Sequence, residues 1–124
     1  MMNKPEIALI MKDWQERAFI RAQLIEEGYE VTGIETLQKA IARLCQGTLE
    51  PHLIILDTLG QDLDDKFLAD LRALTGNAPI IVCSGPYDLA GFDPQRAKPN
   101  RVLVRPFTVR ELVEAVETVC EASV

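Results

Sequence analysis

The sequence lacks the features that mark several functional classes. It has one histidine and three cysteines among 124 residues, and none of Cys45, Cys83 and Cys120 falls in a CxxC or Cys/His spacing. The thiols therefore read as reduced and buried in a cytosolic protein, and a structural zinc site does not fit. Basic residues are in deficit: 13 Lys and Arg stand against 19 Asp and Glu, a formal net charge of −6. Proteins that grip phosphate backbones concentrate positive charge, so direct nucleic-acid binding is excluded as an expectation. Long hydrophobic runs are absent as well. The chain reaches Lys4, Pro5 and Glu6 before its first apolar run, residues 7–11, so neither a signal peptide nor a membrane span is expected. The turn after that run, Met11-Lys12-Asp13-Trp14-Gln15-Glu16, contains no glycine. A GxGxxG or Walker loop that could cradle a nucleotide is thus missing, which disfavours a nucleotide or flavin enzyme.

What is present is an alternation. Short apolar runs suited to buried strands occur at residues 7–11, 52–56, 79–83 and 102–104, with a weaker one at 29–34. Between them lie helical patterns. Residues 14–27 carry Ala18, Ile20, Leu24 and Ile25 and end at Gly28; residues 36–45 carry Leu37, Ala40, Ile41 and Leu44 before Gly47. Residues 62–74 open with acids suited to a helix N-terminus and close at Gly76, and Thr108-x-x-Glu111 is a capping box for a last helix. Strands and helices in alternation predict a parallel sheet covered on both faces, the whole of residues 1–124 forming one domain. The runs around Ile54 and Ile81 are expected to be central, and Glu30-Val31-Thr32 to be an edge. Residues 85–100 interrupt the pattern: Pro86, Pro94, Pro99, Gly85 and Gly91 break any long helix there.

In open parallel sheets, ligands bind beyond the carboxyl ends of the strands. The residues at those ends are Lys12-Asp13, Asp57-Thr58, Ser84-Gly85 and Arg105-Pro106. Two carboxylates, a hydroxyl and a guanidinium at one rim suit phosphoryl chemistry, with Asp57 as the natural nucleophile. Each also has a plainer reading. Asp13-x-x-Glu16 is itself a capping box, Ser84 reads also as a turn residue before Gly85, Arg105 as a structural partner of Asp57, and Lys12 as a surface lysine. The single histidine, His52, precedes the third strand at the opposite end from the rim and reads as structural, and Cys83 reads as core.

On Leu56-Asp57, Ser84-Gly85 and the basic residue before Pro106-Phe107, the whole chain resembles the receiver domain of bacterial two-component response regulators. The resemblance implies a flavodoxin-like doubly wound sheet of five parallel strands in the order 2-1-3-4-5, here with an irregular or shortened fourth helix. It implies that Asp57 accepts phosphate from a sensor histidine kinase or phosphotransfer protein, and that Asp13, Asp57 and the backbone carbonyl of Leu59 ligate Mg²⁺. Ser84 would hydrogen-bond the phosphoryl group, Arg105 would stand for the family's lysine, and a cis bond before Pro106 is allowed. The role so implied is that of a cytoplasmic signalling module rather than an enzyme, apart from self-phosphorylation and autodephosphorylation. It would act on a downstream protein or through homodimerisation, because no output domain follows Val124.

The departures from the family pattern are specific. The acid pair after the first strand has become Lys12-Asp13, the lysine is Arg105, Gly60-Gln61 stands where Met-Pro is usual, and Val102 holds the position of an aromatic switch residue. Charge arithmetic suggests that Lys12 partly substitutes for the metal and weakens Mg²⁺ binding. Leu59 cannot orient an attacking water, which predicts slow autodephosphorylation if Asp57 is phosphorylated. With Lys12, Arg105 and the broken region before the fifth strand, a phosphorylation-independent interaction or dimerisation domain is the alternative.

Overall fold

A computed structural model describes residues 5–85 and 93–122. The strands are β1 (Glu6–Ile10), β2 (Glu30–Ile34), β3 (Leu53–Asp57), β4 (Ile80–Ser84) and β5 (Arg101–Val104). The helices are α1 (Trp14–Glu26), α2 (Leu37–Gln46), α3 (Asp65–Thr75) and α4 (Val109–Ala122), with a 3₁₀ turn at Pro94–Ala97. All strand pairings are parallel, as the alternation predicts, and the sheet order is β2-β1-β3-β4-β5, the doubly wound arrangement that the resemblance implies. Residues 86–92 of the broken region lie outside the described residues, so the expectation of an irregular fourth helix is met only by the 3₁₀ turn that follows them.

The helix ends follow local chemistry. Asp13 Oδ1 accepts from the Gln15 and Glu16 amides at 2.9 and 3.1 Å, and Thr36 Oγ1 accepts from Lys39 at 3.2 Å. The third helix starts three residues later than its acids suggest. Asp64 is the extended residue whose Oδ1 accepts from Phe67 N at 2.8 Å, whereas the Asp62 carbonyl accepts instead from Gln38 Nε2.

The central strands β3 and β4 are buried at every residue, and alternate positions feed two separate cores. Ile7, Leu9, Met11, Leu53, Ile55, Ile81, Cys83 and Leu103 pack with α1 and α4 on one face. Ala8, Ile10, Ile54, Leu56, Ile80 and Val82 pack with α2 and α3 on the other. Each fully buried Leu or Ile contributes about 1.5–3 kcal/mol. The same alternation, carried past the strand ends, decides which rim residues can meet.

Candidate functional site

Asp57 closes the row Leu53, Ile55, Asp57 on β3, and Arg105 extends the row that begins with Arg101 and Leu103 on β5. Through the register Asp57↔Cys83↔Leu103 both rows lie on the face covered by α1 and α4. Their side chains meet there: Arg105 Nη1 donates to Asp57 Oδ1 at 2.5 Å, while Nη2 donates to Glu16 Oε1 at 3.0 Å. The guanidinium lies 5.2 Å from the centre of the Phe107 ring, within cation–π range. Glu16, Arg105, Pro106 and Phe107 line a groove of about 480 Å³, and the Arg105–Pro106 peptide bond is cis.

Asp57 is 1% exposed. Its Oδ1 also faces the Leu59 amide at 3.5 Å, whereas its Oδ2 is buried without a hydrogen-bond partner among the described residues. Burial raises the Asp57 pKa above the ordinary carboxylate value, and the bond to Arg105 only partly opposes it. For Arg105 burial works against the charge, but its bonds to Asp57 and Glu16 outweigh it and the guanidinium pKa is raised. The neighbouring Cys83 thiol is pushed up to about 12, chiefly by burial, so it is no nucleophile near neutrality.

Lys12 lies elsewhere. It continues the row Ala8, Ile10 of the opposite face, its Nζ is 3.3 Å from Glu35 Oε1, and its side chain is 46% exposed. Lys12 thus sits as the surface lysine of the plainer reading, and in this structure the positive charge beside Asp57 comes from Arg105. Asp13 is exposed and serves as the α1 N-cap. Its capping box is only half made, because the Glu16 carboxylate turns to Arg105. Ser84 is 2% exposed, and its carbonyl accepts from Arg105 N at 2.8 Å, tying the β4 and β5 ends together. Leu59 presents a half-exposed side chain.

Three contributors escaped the sequence reading. Glu16 and Phe107 hold Arg105, and Gln61 donates from Nε2 to the Asp57 carbonyl at 2.6 Å while its Oε1 accepts from Leu37 N at 2.8 Å, fixing the β3 end to α2. Strand parity agrees with the Arg105–Asp57 pairing that the sequence already offered and sets Lys12 apart. Glu16 carried no such signal, because its partner is 89 residues away.

No sequence-family model matches the chain, and no curated protein sequence matches it. Solved structures do. The receiver domain of a Francisella response regulator superposes with a TM-score of 0.79 at 20% identity, covering 98% of this chain and 100% of that one. The receiver domain of a sensor histidine kinase from Pseudomonas aeruginosa PAO1, with a magnesium ion coordinated in its active site cleft, matches with a TM-score of 0.75 at 24% identity over 94% and 97% of the two chains. NtrX from Brucella abortus matches with a TM-score of 0.78 at 20% identity, this chain covering 28% of its length. The chain has the fold of response-regulator receiver domains over nearly its whole length. No helix among the described residues is long and apolar enough to cross a membrane.

A magnesium ion needs several oxygen ligands in near-octahedral array. The side chains here, as arranged, do not fit one: Asp57 Oδ1 is held by Arg105, Asp13 Oδ1 by two α1 amides, and Glu16 by Arg105. No group of three His, Cys, Asp or Glu side chains among the described residues is placed to hold a metal.

Proposed function

We propose that the chain is a two-component signalling module in which Asp57 is the phosphoacceptor. The observation that carries this reading is Asp57 itself: a carboxylate 1% exposed at the end of a central strand, with one oxygen unpartnered and the other on a guanidinium. A buried charge with a spare oxygen is a poor structural choice, since burial without a partner is strongly unfavourable. It suits a nucleophile. An Asp57 oxygen would displace the leaving group at the phosphorus of a phosphohistidine or small phosphodonor, forming an acyl phosphate. Arg105 would face the new negative charge with its planar fork, and Ser84 would hydrogen-bond the phosphoryl oxygens. The module would receive phosphate from a histidine kinase or phosphotransfer protein inside the cell and change its affinity for a downstream protein or a second copy of itself. Leu59 offers no polar group to an attacking water, so the acyl phosphate would persist; substitution to Asn or Glu is expected to shorten its lifetime.

The second reading, a phosphorylation-independent interaction domain, is favoured by the ion pair already seated on Asp57. Intact mass after incubation with acetyl phosphate and Mg²⁺ separates the two. Gain of one phosphoryl group by the wild type and none by Asp57→Asn supports the phosphoacceptor; no gain by either leaves the interaction domain.

A further inference from the structure

The site expected to hold a divalent cation already contains a cation of its own. Arg105 bridges Asp57 Oδ1 at 2.5 Å and Glu16 Oε1 at 3.0 Å, and Phe107 backs its guanidinium at 5.2 Å. These three holders come from β3, from α1 and from the segment after β5, so the guanidinium is fixed from three sides rather than trailing into solvent. Its side chain is 20% exposed. The charge sum of Asp57, Glu16 and Arg105 is −1, the same as two carboxylates plus any single positive charge, so the guanidinium offsets the local surplus that would otherwise attract Mg²⁺. Lys12, also at the rim, pairs with Glu35 on the opposite face.

We infer that Arg105, positioned by Glu16 and Phe107, is the resident cation of the Asp57 site and excludes a divalent metal from it. The inference rests on the proposed reading of this rim as the acting site, and its readout, Mg²⁺ binding, is separate from phosphoryl transfer. Removing the guanidinium should release Asp57 and Glu16 and leave two carboxylates with no counter-charge between them, a stronger pull on a cation than the native site exerts.

The test is calorimetric titration of MgCl₂ into the wild type, Arg105→Gln and Lys12→Asp, with thermal unfolding of each chain with and without Mg²⁺. The expected result is weak binding by the wild type, affinity about tenfold or more higher in Arg105→Gln, and an unfolding midpoint raised by Mg²⁺ only in that variant. Lys12→Asp should gain less than Arg105→Gln. Wild-type affinity equal to that of Arg105→Gln would overturn the inference, as would a larger gain in Lys12→Asp or no binding by any of the three. Should Arg105→Gln fail to fold without metal, Arg105→Met, which keeps an apolar stem over Phe107, takes its place under the same criteria. Failure to label Asp57 with acetyl phosphate, alongside the expected Mg²⁺ results, would remove the phosphoacceptor reading and leave this inference standing.

Discussion

Two arginines at opposite ends of the sheet show how differently one side chain can be used. Arg72, on α3 at the amino end, donates among the described residues only to backbone carbonyls: Ala97 and Gly76 at 2.9 Å, Ala78 at 2.9 Å and Lys98 at 2.8 Å. It staples the segments entering β4 and β5, and its neutral acceptors leave burial to lower its pKa. Arg105, at the carboxyl end, donates to two carboxylates, which raise its pKa against burial. The first guanidinium finishes a set of helix-end and loop carbonyls. The second holds a buried carboxylate, and its state depends on the charge of its partners. The amino end is built to stay as it is, and His52 belongs there, its Nδ1 accepting from Glu6 N at 3.0 Å. The carboxyl end keeps a charge balance that one added or removed charge can upset.

Substitutions should separate the two ends. Arg105→Ala is expected to have the largest effect, a loss of about 3 kcal/mol or more near pH 8, because it strands a buried carboxylate. The loss should shrink in acid. Asp57 has a folded pKa raised above its unfolded one, so its favourable contribution is present below the ordinary carboxylate range and is lost as pH rises through the raised value. Removing Arg105 takes away a cause that lowers that pKa, which steepens the dependence; urea unfolding at pH 5 and pH 8 measures it. Arg72→Ala should lose about 2 kcal/mol through its orphaned carbonyls, with the same value at both pH settings. A pH-dependent loss there would erase the distinction between the two arginines.

Asp57→Asn is expected to stabilise by about 1 kcal/mol, since it deletes a desolvated charge while Arg105 keeps Glu16. This advantage should grow from acid to neutral pH, the sign that follows from the raised Asp57 pKa. The smallest effect belongs to Glu16→Gln, about 0.5 kcal/mol for a partly exposed pair, visible chiefly as a weaker coupling between Asp57 and Arg105.

Much of this was legible in the sequence, and the failures have identifiable causes. The strands were found because Leu53-Ile54-Ile55-Leu56 and Ile80-Ile81-Val82-Cys83 are apolar on both faces, as only central parallel strands are. The α3 start was misplaced because Asp62 and Asp64 are chemically alike, and only backbone conformation distinguishes the cap. Sequence adjacency left Lys12 with two readings, because it neighbours Asp13, whereas alternation sends its side chain to the Glu35 side. Glu16 was legible only as the second acid of a capping box, since a capping box and a long-range ion pair make the same demand on residue type.

The most direct measurement is the coupling energy between Asp57 and Arg105, obtained from urea unfolding at pH 8 of Asp57→Asn, Arg105→Gln, the double variant and the wild type. A coupling of about 2 kcal/mol or more is expected, because Arg105→Gln is harmful only while residue 57 is charged. A coupling near zero would mean that the guanidinium does not hold Asp57 in solution, and the account of a site organised around Arg105 would be wrong.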